Sequence, residues 1–191
     1  MKVVIDSNSL IYLARYYLPF DKKGVLLNFF KRKIQDGDII IIDKVLEECK
    51  YTSKGIVLET IEYLKDKDFI KSARIPFKTD SLIAPSPAKF IRQVENQFVQ
   101  IVVKNQRKIS DAEFENQKDT FLNSTDIKLI ILCLNLINDG ETVFLVTEET
   151  EYNNDNKLFL KIPAICKILN IQKLNLPELL SKFDEIDIDF Q

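Results

Sequence analysis

The sequence predicts a three-layer α/β fold, with a central parallel sheet and helices on both of its faces. Short runs of β-branched residues, typical of buried strands, alternate with longer segments whose apolar residues recur at helical spacing. Strands separated by helices pair in parallel through right-handed crossovers. With 46% hydrophobic residues among 191, the chain also has enough apolar side chains for one sizeable core.

The elements of the first half are predicted from this alternation, with polar residues or glycine between them, as at Asp36-Gly37. In order they are a strand at 2–5, a helix from about residue 10, an amphipathic helix at 25–34, a strand of four isoleucines at 39–42, a helix at 44–51 capped by Asp43, a helix at 56–64 and a segment at 69–75 that extends or follows it.

The second half follows the same pattern after a proline-containing loop. One helix, 127–136, is apolar on nearly every side, which indicates the buried centre of a layer. The other predicted elements are helices at 88–103, 111–121 and 163–169 and strands at 142–146 and 171–174. The length predicts a single domain, 1–191.

The composition excludes several kinds of chemistry. The chain has no histidine, so it cannot supply an imidazole base, a histidine-ligated zinc or a Ser-His-Asp group. Cys49, Cys133 and Cys166 lie far apart in apolar stretches, which favours buried free thiols in a reducing compartment. The longest apolar run is about half the length that a bilayer requires, and the first residues do not form a signal-peptide pattern. A cytoplasmic protein without membrane contact is expected.

Acidic residues follow the predicted strands or begin the helix beside them. Asp6 follows the first strand, Asp126 begins the buried helix, and glutamate pairs stand at 47–48 and 148–149. The carboxyl ends of parallel strands meet at one edge of a sheet, so these acids should converge there. Crowded carboxylates must protonate or bind a cation, and in a chain without histidine they suggest Mg²⁺ or Mn²⁺. Such a site predicts phosphodiester hydrolysis.

Two of the acids also have a structural explanation. Asp6 could cap the helix that follows it, because aspartate after a strand is a common cap. Asp126 could do the same, but Ser124 and Thr125 already provide capping hydroxyls, so a functional role is favoured there.

The glutamate pairs leave a choice of ligand. On a helical wheel Glu48 lies nearer the buried face than Glu47, which favours Glu48, although both could be solvated. Glu148 and Glu149 begin a charge-rich loop in which solvation is the usual explanation.

Four short motifs contain these acids, namely Val3-Val4-Ile5-Asp6-Ser7-Asn8-Ser9-Leu10-Ile11, Val45-Leu46-Glu47-Glu48-Cys49, Thr125-Asp126-Ile127 and Val146-Thr147-Glu148-Glu149. Taken in order, these motifs resemble the PIN-domain family of metal-dependent nucleases, and the VapC-like toxin ribonucleases of a bacterial PIN subgroup. The resemblance implies a PIN-like fold with metal and catalytic residues at Asp6, Glu48, Asp126 and Glu149, the last replacing the family's aspartate. Compared with compact toxins, the segment at about 52–123 is longer and predicts a helical insertion.

The activity implied by the resemblance is that of a Mg²⁺- or Mn²⁺-dependent endoribonuclease with RNA as substrate. A toxin role would add an antitoxin protein as partner, and homo-oligomers are a further expectation. Asn8 and Thr147 are predicted to orient ligands or water through hydrogen bonds. The segment 183–190, acidic with apolar residues, could dock on a partner or on the domain itself.

Nucleic-acid binding would need a local basic patch, because the net charge of −2 gives no overall attraction for phosphates. Lys104, Arg107 and Lys108 are candidates for phosphate contact, and a solvated helix end is an equal explanation for them.

Two other functions are consistent with the sequence. Asp6 could be the nucleophile of a phosphoryl-transfer enzyme, although phosphatases of the haloacid-dehalogenase type would have aspartate where this chain has Asn8. A PIN-like scaffold could also have become a catalytically inactive interaction module. Retention of acids at all four positions argues against the inactive module.

Overall fold

A four-stranded parallel sheet with helices on both faces forms the centre of the structure, which confirms the predicted fold class. The structure is a computed structural model, and it describes residues 1–150 and 157–183. The strands lie in the order β2-β1-β3-β4, and every pair is parallel. They are β1 (Lys2–Ile5), β2 (Ile39–Ile40), β3 (Val143–Val146) and β4 (Gln172–Leu174).

Eleven α-helices of the described residues surround this sheet. A π-helical turn, Leu13–Tyr17, extends the first helix, and short 3₁₀ turns occur at Leu18–Phe20, Thr52–Gly55 and Glu62–Leu64. The helices are α1 (Ser7–Tyr12), α2 (Val25–Gln35), α3 (Asp43–Tyr51), α4 (Ile56–Thr60), α5 (Lys67–Ala73), α6 (Pro87–Asn96), α7 (Ile101–Gln106), α8 (Asp111–Leu122), α9 (Thr125–Asn138), α10 (Ile162–Leu169) and α11 (Leu176–Leu180).

The register of the two central strands determines where the candidate site lies. Ile5 of β1 is opposite Val146 of β3, so the residues that follow, Asp6 and Thr147, leave the sheet side by side. The backbone N–H of Asp6 donates to the Val146 carbonyl at 2.9 Å. Strand β2 lies on one side of β1, and β3 lies on the other side. The strand order therefore reverses between β1 and β3. A crevice at the carboxyl edge is expected at such a position.

Apolar strands that are buried on both faces require helices on both sides of the sheet. Helix α9 packs against β1 and β3, α2 packs against β2, and α10 packs against β4. The segment 52–123 forms α4 to α8, and its buried side chains Phe90 and Phe98 belong to the same hydrophobic core as the sheet.

The isoleucine strand is shorter than predicted, because only Ile39–Ile40 pairs with β1. Ile42 instead forms an isolated parallel bridge with Phe77. Asp43 was predicted to cap α3, but it lies in the first turn of that helix. Its carboxylate accepts hydrogen bonds from the N–H and the hydroxyl of Thr79. A tertiary contact therefore replaces the local cap.

The single helix predicted at 88–103 is two helices, α6 and α7, in the structure. The break occurs where Val99 forms an antiparallel bridge with Phe159. Flanking backbone hydrogen bonds run from Gln100 N–H to the Leu158 carbonyl at 2.7 Å and from Leu160 N–H to the Phe98 carbonyl at 2.8 Å. Pairing with a distant segment has replaced the helical turn.

The three cysteines are buried free thiols, as predicted. In residues 1–150 and 157–183, no single helix has the length and apolar composition to cross a membrane; α8 and α9 meet that test only as a pair bent by 60°. Phe183 is buried against Phe29, with ring centroids 4.9 Å apart, and the rest of the predicted docking segment, 184–190, lies outside the described residues.

Candidate active site at the carboxyl edge of the sheet

Asp6 lies where β1 ends and is buried, with 3% of its surface exposed. It occupies the cap position of α1, yet its side chain makes no capping hydrogen bond. The hydroxyl of Thr147 donates to Asp6 Oδ2 at 3.0 Å, and the same Thr147 oxygen accepts the N–H of Glu149 at 3.2 Å. The Asp6 carboxylate is thus held by the neighbouring strand end, and capping does not explain it.

Glu48 enters the site from α3 and is held by two hydroxyl groups. Ser7 Oγ donates to Glu48 Oε2 at 2.7 Å and lies 3.2 Å from Asp6 Oδ1, so one hydroxyl bridges the two carboxyl groups. The Thr125 hydroxyl donates to Glu48 Oε1. Glu47 is exposed and pairs with Lys50. The structure therefore places Glu48, and not Glu47, beside Asp6.

Asp126 lies in the first turn of α9 and does not cap that helix. Ser124 is the cap, and its hydroxyl oxygen accepts the N–H of Ile127 at 3.3 Å. The half-buried Asp126 carboxylate is instead in electrostatic contact with the other acids of the site.

The loop after β3 separates the roles of its two glutamates. Glu148 Oε1 accepts the N–H of Leu176 at 2.8 Å, at the start of α11, and lies 3.5 Å from Ser9 Oγ. Glu149 turns toward the site, where its Oε2 is buried and has no hydrogen-bond partner among the described residues. Glu148 thus fastens α11, whereas Glu149 joins what we call the acid cluster, namely Asp6, Glu48, Asp126 and Glu149.

Burial and mutual repulsion shift the pKa values in the acid cluster. Desolvation raises the pKa of Asp6 to about 6; the charges of Glu149 and Glu48 add to this, while hydrogen bonds from Thr147 and the Ser7 backbone oppose it. Desolvation also raises the pKa of Asp126 to about 7, with further increases from Glu149, Asp6 and Glu48 and a decrease from Lys157. Without a cation, the cluster therefore retains protons near neutral pH.

The chemistry of the acid cluster fits a hard divalent cation. Four carboxylates could supply oxygen ligands, and a cation would compensate their charge and give the buried Glu149 Oε2 a partner. Across residues 1–150 and 157–183, no three acidic or cysteine side chains stand at a spacing that could hold a metal ion. Cation binding would consequently require these side chains to turn toward a common centre.

The hydrogen-bonding residues of the site differ in part from those predicted. Thr147 contacts Asp6. Asn8 is exposed on α1 and makes no side-chain hydrogen bond within the described part of the chain, so its orienting role stays a prediction. Sequence reasoning missed the hydroxyls of Ser7 and Thr125, which both donate to Glu48. The only sequence signal for them is that each adjoins an acid of the cluster.

The three predicted basic residues lie in different surroundings. The Lys104 ammonium lies 4.0 Å from the centre of the Phe114 ring and 4.0 Å from Asp111. Lys108 is exposed beyond the end of α7, and Arg107 lines a cavity that reaches Asp126. The structure thus brings only Arg107 of the three to that cavity.

The fold and the acid cluster together define an α/β protein with a buried acidic site at the strand-order reversal of a parallel sheet. Among protein families, residues 79–185 match DUF4411, described as a domain of unknown function. The match covers more than half of the chain, and the protein belongs to this family. Neither the curated proteins nor the solved structures contain a match.

The PIN-domain assignment from the motifs is wrong, because the family match is to DUF4411 and no PIN family matches. The motifs that suggested it are short. In α/β folds of many families, functional residues lie after parallel strands and at the starts of the neighbouring helices. Acids at these two positions therefore do not identify a family. The family match includes Asp126 and Glu149, whereas Asp6 and Glu48 precede it.

Proposed function

We propose that this protein is a cytoplasmic Mg²⁺- or Mn²⁺-dependent endoribonuclease that hydrolyses phosphodiester bonds at the acid cluster. The supporting observation is the convergence of four carboxyl groups from four separate segments of the chain, one of which contributes a buried oxygen without a partner. A protein without a ligand for this site would keep four mutually repelling acids in a partly buried position at a cost in stability.

The four carboxylates of the cluster would hold the cation. When bound, Mg²⁺ or Mn²⁺ would supply Lewis-acid activation of the scissile phosphate and of the attacking water. Thr147 aims one oxygen of Asp6, while Ser7 and Thr125 fix both oxygens of Glu48. These hydroxyls orient the carboxyl groups, which is the usual contribution of groups behind a metal ligand, and the side chains would turn further toward a bound cation.

The alternative in which Asp6 is a phosphoryl-accepting nucleophile is less well supported. Its carboxyl group is almost fully buried, and both of its oxygens have hydroxyl neighbours, Ser7 and Thr147. An in-line attack would need one of these oxygens to be accessible to the phosphorus atom. The second alternative is an inactive interaction module. Such a module would not bind a cation at the acid cluster, whereas the proposed nuclease would, and cation binding can be measured directly.

Mn²⁺ should stabilise the wild-type protein, and Glu48→Gln should weaken that effect. At a hundredfold excess over Kd, a cation that binds only the folded state adds about 2.7 kcal/mol, or roughly 5–10 °C in Tm. Thermal unfolding with and without Mn²⁺ measures this increase. Glu47→Gln, which removes the same charge from the adjacent exposed position, is the matched control and should respond like wild type.

An equal Mn²⁺ response in wild type and in Glu48→Gln would contradict the assignment of Glu48. If Mn²⁺ left the Tm of wild type unchanged while EDTA had no effect on RNA cleavage, the metal-dependent mechanism would be wrong.

A toxin role with an antitoxin partner, and self-association as a homo-oligomer, remain predictions from the sequence. Expression of the wild-type chain alone should then arrest growth, whereas expression of Asp6→Asn at the same level should not. Growth curves with immunoblots for equal expression test this. Normal growth of cells that contain a demonstrably active nuclease would reject the toxin role and leave the nuclease role in place.

A further inference from the structure

The first helix of the chain presents a narrow exposed side that begins next to the acid cluster. Helix α1 and the π-helical turn that extends it cover residues 7–17. Spacings of four, three and one residues place the exposed residues on one side of this helix. We call this side the aromatic stripe; its residues are Asn8, Tyr12, Arg15 and Tyr16.

The other side of the helix packs into the core without help from the two tyrosines. Leu10 and Leu13 are at most 1% exposed, whereas Tyr12 and Tyr16 are 44% and 52% exposed. Exposed positions of a surface helix ordinarily have charged or polar side chains. Two adjoining aromatic rings at such positions are therefore better explained by a binding surface than by packing.

The two tyrosines form a preorganised surface for stacking. Their ring centroids are 5.1 Å apart, with planes at 66°, and the Arg15 guanidinium lies 5.9 Å from the centre of the Tyr16 ring. Rings that already pack on each other lose little freedom when a base stacks on them. Aromatic side chains combined with arginine are typical of surfaces that bind single-stranded nucleic acids.

The charge of the aromatic stripe suits a phosphate backbone. Arg15 is the only charged residue in the segment 7–20, and it forms no ion pair with the described residues. Lys22 and Lys23 follow, both exposed, while the carboxylate of Asp21 accepts a backbone N–H. A second copy of the chain, seated on the stripe by two-fold symmetry, would set Arg15 against the same positive surface. An anionic polymer is the better fit.

The aromatic stripe leads directly to the acid cluster. Asn8 adjoins Ser7, whose hydroxyl lies between the carboxyl groups of Asp6 and Glu48. From Asn8 to Tyr16 the helix rises about 12 Å, at about 1.5 Å per residue. A strand that lies along the stripe would therefore continue to the cluster.

We propose that the aromatic stripe binds single-stranded RNA beside the acid cluster, with bases stacked on Tyr12 and Tyr16 and a phosphate on Arg15. The choice of RNA rests on the proposed nuclease function. In a duplex the bases are paired and stacked on one another, and they would have to leave the stack to reach the rings. The stripe therefore favours unpaired strands and determines the side from which they approach the cluster.

Anisotropy with a fluorescein-labelled 12-nucleotide RNA that cannot self-pair tests the proposal in EDTA, where no metal-dependent cleavage occurs. Combined Tyr12→Leu and Tyr16→Leu substitution should weaken binding at least about fivefold. Combined Tyr12→Phe and Tyr16→Phe substitution keeps both rings and should bind like wild type. Phe77→Leu, which removes a ring of similar exposure beside β2, is the control for loss of a surface aromatic. The same RNA annealed to its complement should bind wild type at least about tenfold more weakly.

Arg15→Gln gives an independent measurement on an exposed side chain. It should reduce the slope of log K against log salt by about 0.7, the value for one lost single-strand phosphate contact. Arg92→Gln, which removes an exposed arginine from α6, is the matched control and should leave the slope unchanged. If the leucine variant lost stability as well as binding, Arg15→Gln and the duplex comparison would still decide.

Wild-type affinity in a folded leucine variant, equal affinity for single strand and duplex, or an unchanged salt slope in Arg15→Gln would overturn the proposal. A wild-type dimer that the leucine variant converts to a monomer in analytical ultracentrifugation would also overturn it, because the stripe would then be a contact between copies. Cleavage in Mn²⁺ is measured separately. Active wild type with a leucine variant that binds and cleaves normally would reject only the stripe, whereas the expected binding pattern without cleavage would reject only the nuclease proposal.

Discussion

Asp6→Asn should lower Mn²⁺-dependent RNA cleavage by orders of magnitude, because it removes the carboxylate that the end of β1 contributes to the proposed cation site. Loss of a ligand weakens cation binding and with it both phosphate activation and water activation. The effect should exceed that of Glu48→Gln, since Asp6 is the most buried member of the acid cluster and is tied to the sheet through Thr147. Single-turnover cleavage of a labelled RNA measures the rate.

The substitution should leave the fold intact. The asparagine oxygen can accept the Thr147 hydroxyl as the carboxylate does, and its NH₂ group can donate to Ser7 Oγ, which in turn donates to Glu48. A Tm for Asp6→Asn in EDTA that is no lower than that of wild type checks this. Asp119→Asn, an exposed acid on α8, is the control for charge and should cleave normally. Wild-type cleavage by Asp6→Asn would reject the proposed site.

Much of the fold follows from local pattern. The run Lys2–Ile5 is apolar and β-branched, and it forms a central strand because only a position covered on both faces buries all of its side chains. The same reasoning placed Asp6 at the carboxyl edge and Asp126 beside it, since strand ends and helix starts meet there in parallel α/β folds.

Features that depend on contacts between distant residues were not predictable. The break between α6 and α7 exists because Val99 pairs with Phe159, sixty residues away, and helical periodicity contains no signal for it. The role of Glu148 at the start of α11 and the bridging role of Ser7 likewise depend on tertiary packing. The family assignment failed for a related reason, because motifs of a few residues describe a position in the fold and not ancestry.

The cavity that reaches Asp126 shows the same limit on the functional side. Its cations come from the end of α7 and from the segment before α10, about fifty residues apart in the chain. The sequence cluster at 104–108 suggested one contiguous patch, but only Arg107 lines the cavity, and its basic neighbours there are Lys157 and Lys161. A local run of charge therefore predicted one residue of a surface that the fold assembles from separate segments.

In the absence of metal, Asp126→Asn should make the protein more stable at pH 8 than wild type. The pKa of Asp126 is about 7 in the folded protein and about 3.8 when exposed, so the folded state binds more protons between these values. The unfolding free energy of wild type must then fall as pH rises through about 7. The titrations of Asp126 and Asp6 are coupled, so the loss belongs to the pair, and each pKa unit of the shift corresponds to about 1.4 kcal/mol. Asparagine cannot ionise and avoids its share of that loss.

Urea unfolding in EDTA at pH 5 and pH 8 measures the difference between wild type and Asp126→Asn. The two proteins should be closer in stability at pH 5, where much of the Asp126 population in the folded wild type is protonated, and Asp126→Asn should be the more stable at pH 8. Asp119→Asn should show no such pH dependence. At pH 8, saturating Mn²⁺ should make wild type more stable than Asp126→Asn. The negative charges that repel one another in the metal-free cluster are the charges that bind the cation, and the variant has one fewer of them. An unchanged order would show that the cluster does not bind Mn²⁺ through Asp126.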